Sequence, residues 1–157
     1  MEIIIAENSG FCFGVKRSVE LAEKALDSNK TVYCLGPLIH NPQLVESFSK
    51  RGLTVIDHDE ALNIKDSLIV IRAHGEDKNF KDKLIENGNE LYDATCPVLN
   101  SIYKKIIQKE KDGYQVIIVG DNTHPEIIAM DSCIKHGIVV KDETEAKILR
   151  ITISYMW

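Results

Sequence analysis

The chain has 157 residues, 44% apolar and 27% charged, an ordinary globular balance and enough chain for one domain or two small ones. A formal net charge of −5 supplies no basic stripe, which argues against nucleic acid as a partner. No apolar run approaches the ~18 residues of a membrane span, and Met1-Glu2-Ile3 opens no signal peptide. The four cysteines are therefore expected in a reducing cytoplasm, as metal ligands or catalytic groups rather than disulfides.

Residues 2–6 form a short apolar run that ends in Asn8-Ser9-Gly10, predicting a strand and then a loop. Val15, Val19, Ala22 and Leu26 recur at helical spacing, so residues 14–28 read as a helix with one apolar face. The β-branched and aromatic run 31–35 reads as a strand broken by Gly36-Pro37. Asn41 can cap a helix that begins at Pro42 and stops by Gly52. Residues 53–56 and 67–71 are further strands, the second apolar throughout, as in a buried parallel sheet. A helix is predicted over 77–87, a strand over 91–94, and a helix over 99–112 stopped by Gly113. Residues 114–119 read as a strand, Pro125 opens a helix that finishes before Gly137, and 138–141 read as a strand. This alternation predicts the α/β class with mostly parallel sheets.

The two halves repeat. Gly36 follows Cys12 at the spacing with which Gly120 follows Cys96, and His40 and His124 keep the same step. Gly52 to Asp57 answers Gly137 to Asp142 after a one-residue slip. A repeat of roughly 85 residues that holds a Cys and a His in register implies two related units turned on a shared site. The units are expected at 1–95 and 96–157. Offset by the same amount, the counterpart of Arg72-Ala73-His74-Gly75 would run past Trp157, so the second unit is expected to be cut short.

Ligands of open α/β sheets sit beyond the carboxyl ends of the strands, and Cys12, His40, His74, Cys96 and His124 each follow a predicted strand there. Cys12, in Gly10-Phe11-Cys12-Phe13-Gly14, and Cys96, in Asp93-Ala94-Thr95-Cys96-Pro97, each precede a helix. A helix N-terminus favours thiolate, which serves as nucleophile or metal ligand. His40 and His124 adjoin helix starts and suit a phosphate or diphosphate; His74 adds a third donor, with Arg72 close by in sequence. Glu126 is either an ordinary first-turn carboxylate or a group able to move protons. Cys34 in mid-strand and Cys133 in mid-helix read as packing residues, and His58 and His136 fall outside the pattern. There is no Walker loop and no dinucleotide fingerprint.

Five motifs, Gly10-Phe-Cys-Phe-Gly-Val15, Gly36-Pro-Leu-Ile-His-Asn41, Ala73-His-Gly75, Asp93-Ala-Thr-Cys-Pro97 and His124-Pro-Glu126, resemble in order and spacing those of the hydroxymethylbutenyl diphosphate reductase (LytB) family. The likeness runs from about residue 2 to 150. It implies a trefoil of three related α/β units around a central [4Fe-4S] cluster, each unit giving one cysteine. On that resemblance Cys12 and Cys96 are cluster ligands, and His40, His74 and His124 bind the diphosphate substrate. Glu126 is the catalytic carboxylate that feeds protons to a departing allylic hydroxyl. The implied reaction turns 4-hydroxy-3-methylbut-2-enyl diphosphate into isopentenyl and dimethylallyl diphosphate, in the methylerythritol phosphate pathway of isoprenoid biosynthesis. An external electron donor such as ferredoxin or flavodoxin is implied with it. The family's third unit and third cysteine have no counterpart in the sequence, so the chain is expected to lack turnover alone. A non-catalytic truncated remnant and a phosphate- or zinc-binding module remain the alternatives.

Overall fold

The computed structural model describes residues 3, 4, 6, 7 and 9–149. Ile3, Ile4 and Ala6 form no strand, and Ile3 and Ile4 are exposed, so the strand expected at 2–6 is not seen in its described residues. The rest of that run and the tail after Leu149 lie outside the described residues.

Strands β1 (Val32–Leu35), β2 (Leu53–Ile56), β3 (Leu68–Ile71) and β4 (Glu90–Asp93) form one parallel sheet in the order β2-β1-β3-β4. Strand side chains alternate between faces, so β3, buried at every position, serves two cores. Leu68 and Val70 pack with Ala22 and Ala25 of α1 (Phe13–Leu26) and Phe48 of α2 (Pro42–Lys50). Ile69 and Ile71 pack on the other face with Ala61 of α3 (His58–Ala61) and Leu84 of α4 (Lys78–Glu86). Asn41 caps α2 as expected, its Oδ1 accepting the Leu44 N–H at 3.0 Å. From adjacent strands, β1 leads to α2 on one face and β3 to α4 on the other. That divergence opens a crevice at the carboxyl ends of β1 and β3.

After Cys96 come α5 (Pro97–Lys111), β5 (Ile117–Val119), α6 (Pro125–Asp131), β6 (Ile138–Val140) and α7 (Glu143–Ile148). β5 and β6 pair in parallel, as β1 and β2 do. The Gly36 N–H donates to the Ile56 carbonyl at 2.8 Å, and the Gly120 N–H to that of Val140 at 2.9 Å. The two copies therefore stay in step to the end of their second strand, and the slip is Lys141, one extra residue before the next helix cap. Asp57 caps α3 and Asp142 caps α7.

Three sequence expectations need correction. Neither α3 nor α7 was expected, because four and six residues are too short to show a period; the Asp57–Glu60 capping box was the readable signal. The strand expected over 114–119 begins only at Ile117, since the Tyr114 N–H still bonds the Lys109 carbonyl at the end of α5. The helix α6 stops at Asp131, which leaves Cys133 in the following turn rather than in mid-helix.

Candidate functional site

His40 lies in the loop after β1, and His74 in the Arg72–Gly75 turn after β3, closed by Gly75 N–H to Arg72 carbonyl at 3.1 Å. Both thus sit at the switch crevice. Gly75 has φ +82°, and a Cβ there would stand 2.5 Å from the Tyr103 hydroxyl, so the turn requires glycine twice over. Tyr103, buried on α5, supports the turn through a long contact from its hydroxyl to the His74 carbonyl at 3.4 Å. The imidazole centroids of His40 and His74 are 5.2 Å apart, and those of His74 and His124 are 6.4 Å apart. His124 caps α6, its Nδ1 accepting the Glu126 N–H at 3.3 Å, which leaves Nε2 as the ring nitrogen available to donate.

Cys12 and Cys96 are the N-cap residues of α1 and α5, and neither side chain caps its own helix. Each sulfur is thereby left at a positive helix end. A Cβ on Gly14 would stand 2.7 Å from the Cys96 Sγ, so that glycine admits the sulfur to the first turn of the helix that Cys12 opens. Cys12, Gly14, His74, Cys96, Val98 and Glu126 line one cavity of about 280 Å³. Two cysteines, an imidazole and the carboxylate singled out from sequence thus share a single space.

Sequence reasoning missed what braces that space. Arg17 donates to the Thr95 carbonyl at 3.1 Å and to the Asp93 carbonyl at 3.2 Å, and buried Ser18 to that of Ala94 at 3.2 Å. The loop carrying Cys96 is therefore tied to the helix that starts at Cys12. The readable signal was Ser18, a polar residue inside the apolar stripe of α1, which needs a partner once buried.

Burial holds His74 below the usual histidine range; Arg72, His40 and His124 add to the effect and Glu126 opposes it. Burial pushes the Cys34 thiol up to about 12, and raises that of Cys133, whose Sγ donates to the Ala129 carbonyl at 3.2 Å. Both are neutral thiols away from the cavity, as packing residues should be. His58 contacts Glu76 at 3.1 Å, and His136 lies before β6.

The LytB protein family model matches residues 3–156. This chain belongs to the LytB family. The 4-hydroxy-3-methylbut-2-enyl diphosphate reductase of Caldanaerobacter subterraneus subsp. tengcongensis is 39% identical over 151 residues, covering 94% of this chain and 52% of that protein. The Aquifex aeolicus reductase is 40% identical over 146 residues, covering 90% and 50%. A solved structure of (E)-4-hydroxy-3-methyl-but-2-enyl diphosphate reductase superposes with a TM-score of 0.80 at 40% identity, covering 90% of this chain and 52% of that one. The Plasmodium falciparum reductase, 24% identical, shares the fold with a TM-score of 0.84 over 92% of this chain and 46% of that one. The α/β class with parallel sheets is as the sequence implied, and this LytB chain spans about half the length of the relatives it matches.

Among the described residues no three His, Cys, Asp or Glu side chains gather as a metal site. The two thiols of this LytB chain at one cavity fit part of an iron–sulfur ligand set. No helix among the described residues is long and apolar enough to cross a membrane.

Proposed function

We propose that this chain carries two of the three cysteine ligands, the imidazole donors and the proton-handling carboxylate of a 4-hydroxy-3-methylbut-2-enyl diphosphate reductase. The observation that carries the reading is the shared cavity of Cys12, Cys96, His74 and Glu126, with the His40 and His124 rings beside His74. The matched relatives bear that enzyme's name, and one solved relative is described as the terminal enzyme of the non-mevalonate pathway.

Cys12 and Cys96 would hold a [4Fe-4S] cluster at two corners, with a third thiolate from a further unit in the trefoil, leaving one iron open to substrate. When bound, the cluster supplies two electrons, drawn from an external donor such as ferredoxin or flavodoxin. His40, His74 and His124 orient the diphosphate at the switch crevice. Glu126, in the first turn of α6, hands a proton to the allylic hydroxyl as its C–O bond breaks, and water leaves. A second proton goes to the allylic carbon, so two electrons and two protons turn a C–O bond into a C–H bond plus water.

The test is anaerobic reconstitution with iron and sulfide, of this chain alone and of a chimera in which it replaces the matching half of the Aquifex aeolicus reductase. The chimera should show the broad visible absorption of a four-iron cluster and reductase turnover, and the chain alone should show none. A chimera that keeps its cluster after Cys12→Ser and Cys96→Ser would sink the reading.

A further inference from the structure

Arg72 takes no part in the reaction above, yet it follows β3 at the switch crevice. Its Nε is buried without a hydrogen-bond partner, and none of the ion pairs among the described residues includes it. A second buried nitrogen without a partner, Nδ1 of His74, stands two residues along the same turn. Buried polar groups are nearly always satisfied, and an orphaned charged one calls for an explanation.

The guanidinium lies over Gly36, which has φ +71°; a Cβ there would stand 2.9 Å from its Nη1 and 3.3 Å from its Cζ. A glycine thus makes room for a charge that no carboxylate pairs among the described residues. The charges felt at His74 come from Arg72, His40 and His124 on one side and Glu126 on the other. Arginine presents five N–H donors in a planar fork that matches phosphate oxygens, and it stays charged at every pH where imidazoles lose their protons.

We propose that Arg72 is a further anion-binding residue of this crevice: its guanidinium supplies the fixed positive charge that receives a phosphate oxygen of the diphosphate. The inference rests on the diphosphate reading given above. It gives the imidazoles the task of orienting the anion and Arg72 that of holding it above neutral pH.

Inorganic diphosphate is the probe, titrated calorimetrically at pH 8 into this chain, its Arg72→Met variant and its Arg72→Lys variant. Arg72→Met should bind at least about tenfold more weakly, and Arg72→Lys should recover part of the loss, because a point charge replaces the fork. Equal binding by wild type and Arg72→Met overturns the role of Arg72 and leaves the diphosphate reading standing. Absence of binding by the wild type overturns both. Should the variants fail to fold, the NMR signal of the Arg72 Nε–H in the wild type decides. Its shift on adding diphosphate supports the proposal, and a static signal beside moving imidazole signals overturns it.

Discussion

Residues 13–93 and 97–148 are built to one plan and held by very different amounts of core. In the first region β1 lies between β2 and β3, and helices cover both faces of the sheet. In the second, β5 pairs only with β6 among the described residues, and Ile117 and Val119 stand exposed on either side of buried Ile118. Among the described residues after Cys96 the buried apolar ones are Tyr103, Ile118, Ala129, Ile134 and Val140, too few to form a two-sided core. The site draws on both regions. His40, His74 and the brace on Cys96 come from the well-packed one, whereas His124 and Glu126 ride on α6, which buries only Ala129. Glu126, the proposed proton donor, is thus placed by the weaker half.

The comparison breaks most directly at its cores. Phe48→Ala empties a site that is 2% exposed and should cost about 3–5 kcal/mol in the main urea transition. Ile118→Ala, at 7% exposed on a two-stranded ribbon, should instead lower an earlier, separate transition. If both variants shift one common transition equally, the halves unfold together and the contrast fails. A smaller effect is expected at the loop braces. The Asn89 amide accepts from the Ser67 N–H at 3.1 Å and donates to the Ile64 and Leu84 carbonyls at 2.9 and 3.0 Å. Asn89→Ala leaves the Ser67 N–H and the Ile64 carbonyl unpaired, while the Leu84 carbonyl keeps the backbone N–H of residue 89 at 3.3 Å, and should cost about 2–3 kcal/mol by denaturation. Gln115, which bridges to the His136 and Val116 carbonyls on the surface, is the matching brace in the second region. Gln115→Ala should cost under about 1 kcal/mol, because water replaces its bonds.

The same contrast explains what was legible in the sequence. The first region announced itself because its strands are short, apolar and punctuated by Gly36, Gly52 and Gly88, so every strand was placed to within one residue. In the second region the run from Tyr114 to Val119 is as apolar as a strand, but its first residues finish a helix; local composition cannot tell those apart. The candidate site residues stood out as motifs because each sits at a glycine or helix start, where backbone geometry constrains sequence. Arg17 and Ser18 were not, since their partners are backbone carbonyls some 76 residues away, and a carbonyl leaves no mark on the sequence. The orphaned Arg72 Nε was equally invisible, because an absence of partners exists only in three dimensions.

Helix caps sharpen the comparison at about 1 kcal/mol each. Asn41 caps α2, which carries the buried Phe48, whereas Asp142 caps α7, in which no residue is buried. Asn41→Ala should lower the main urea transition by that amount. Asp142→Ala should reduce helical circular dichroism while leaving that transition in place. An equal shift from both would mean that α7 is coupled to the main core.

The smallest expected effect reads the contact between the regions themselves. His74 sits in a turn of the first region, but Glu126 and His124 of the second are among the charges that act on it. Its imidazole should titrate below the usual ~6.5 by NMR, chiefly because burial disfavours the charged ring. With a depressed folded value, the folded chain binds fewer protons than the unfolded one. This histidine's contribution is therefore intact above pH ~6.5 and is eroded as pH falls through that value toward the folded pKa. Glu126→Gln removes the charge that favours the protonated ring, so the midpoint should fall further, while His124→Ala should raise it. A His74 midpoint indifferent to both substitutions would place α6 away from the turn, and the two halves would then share no site.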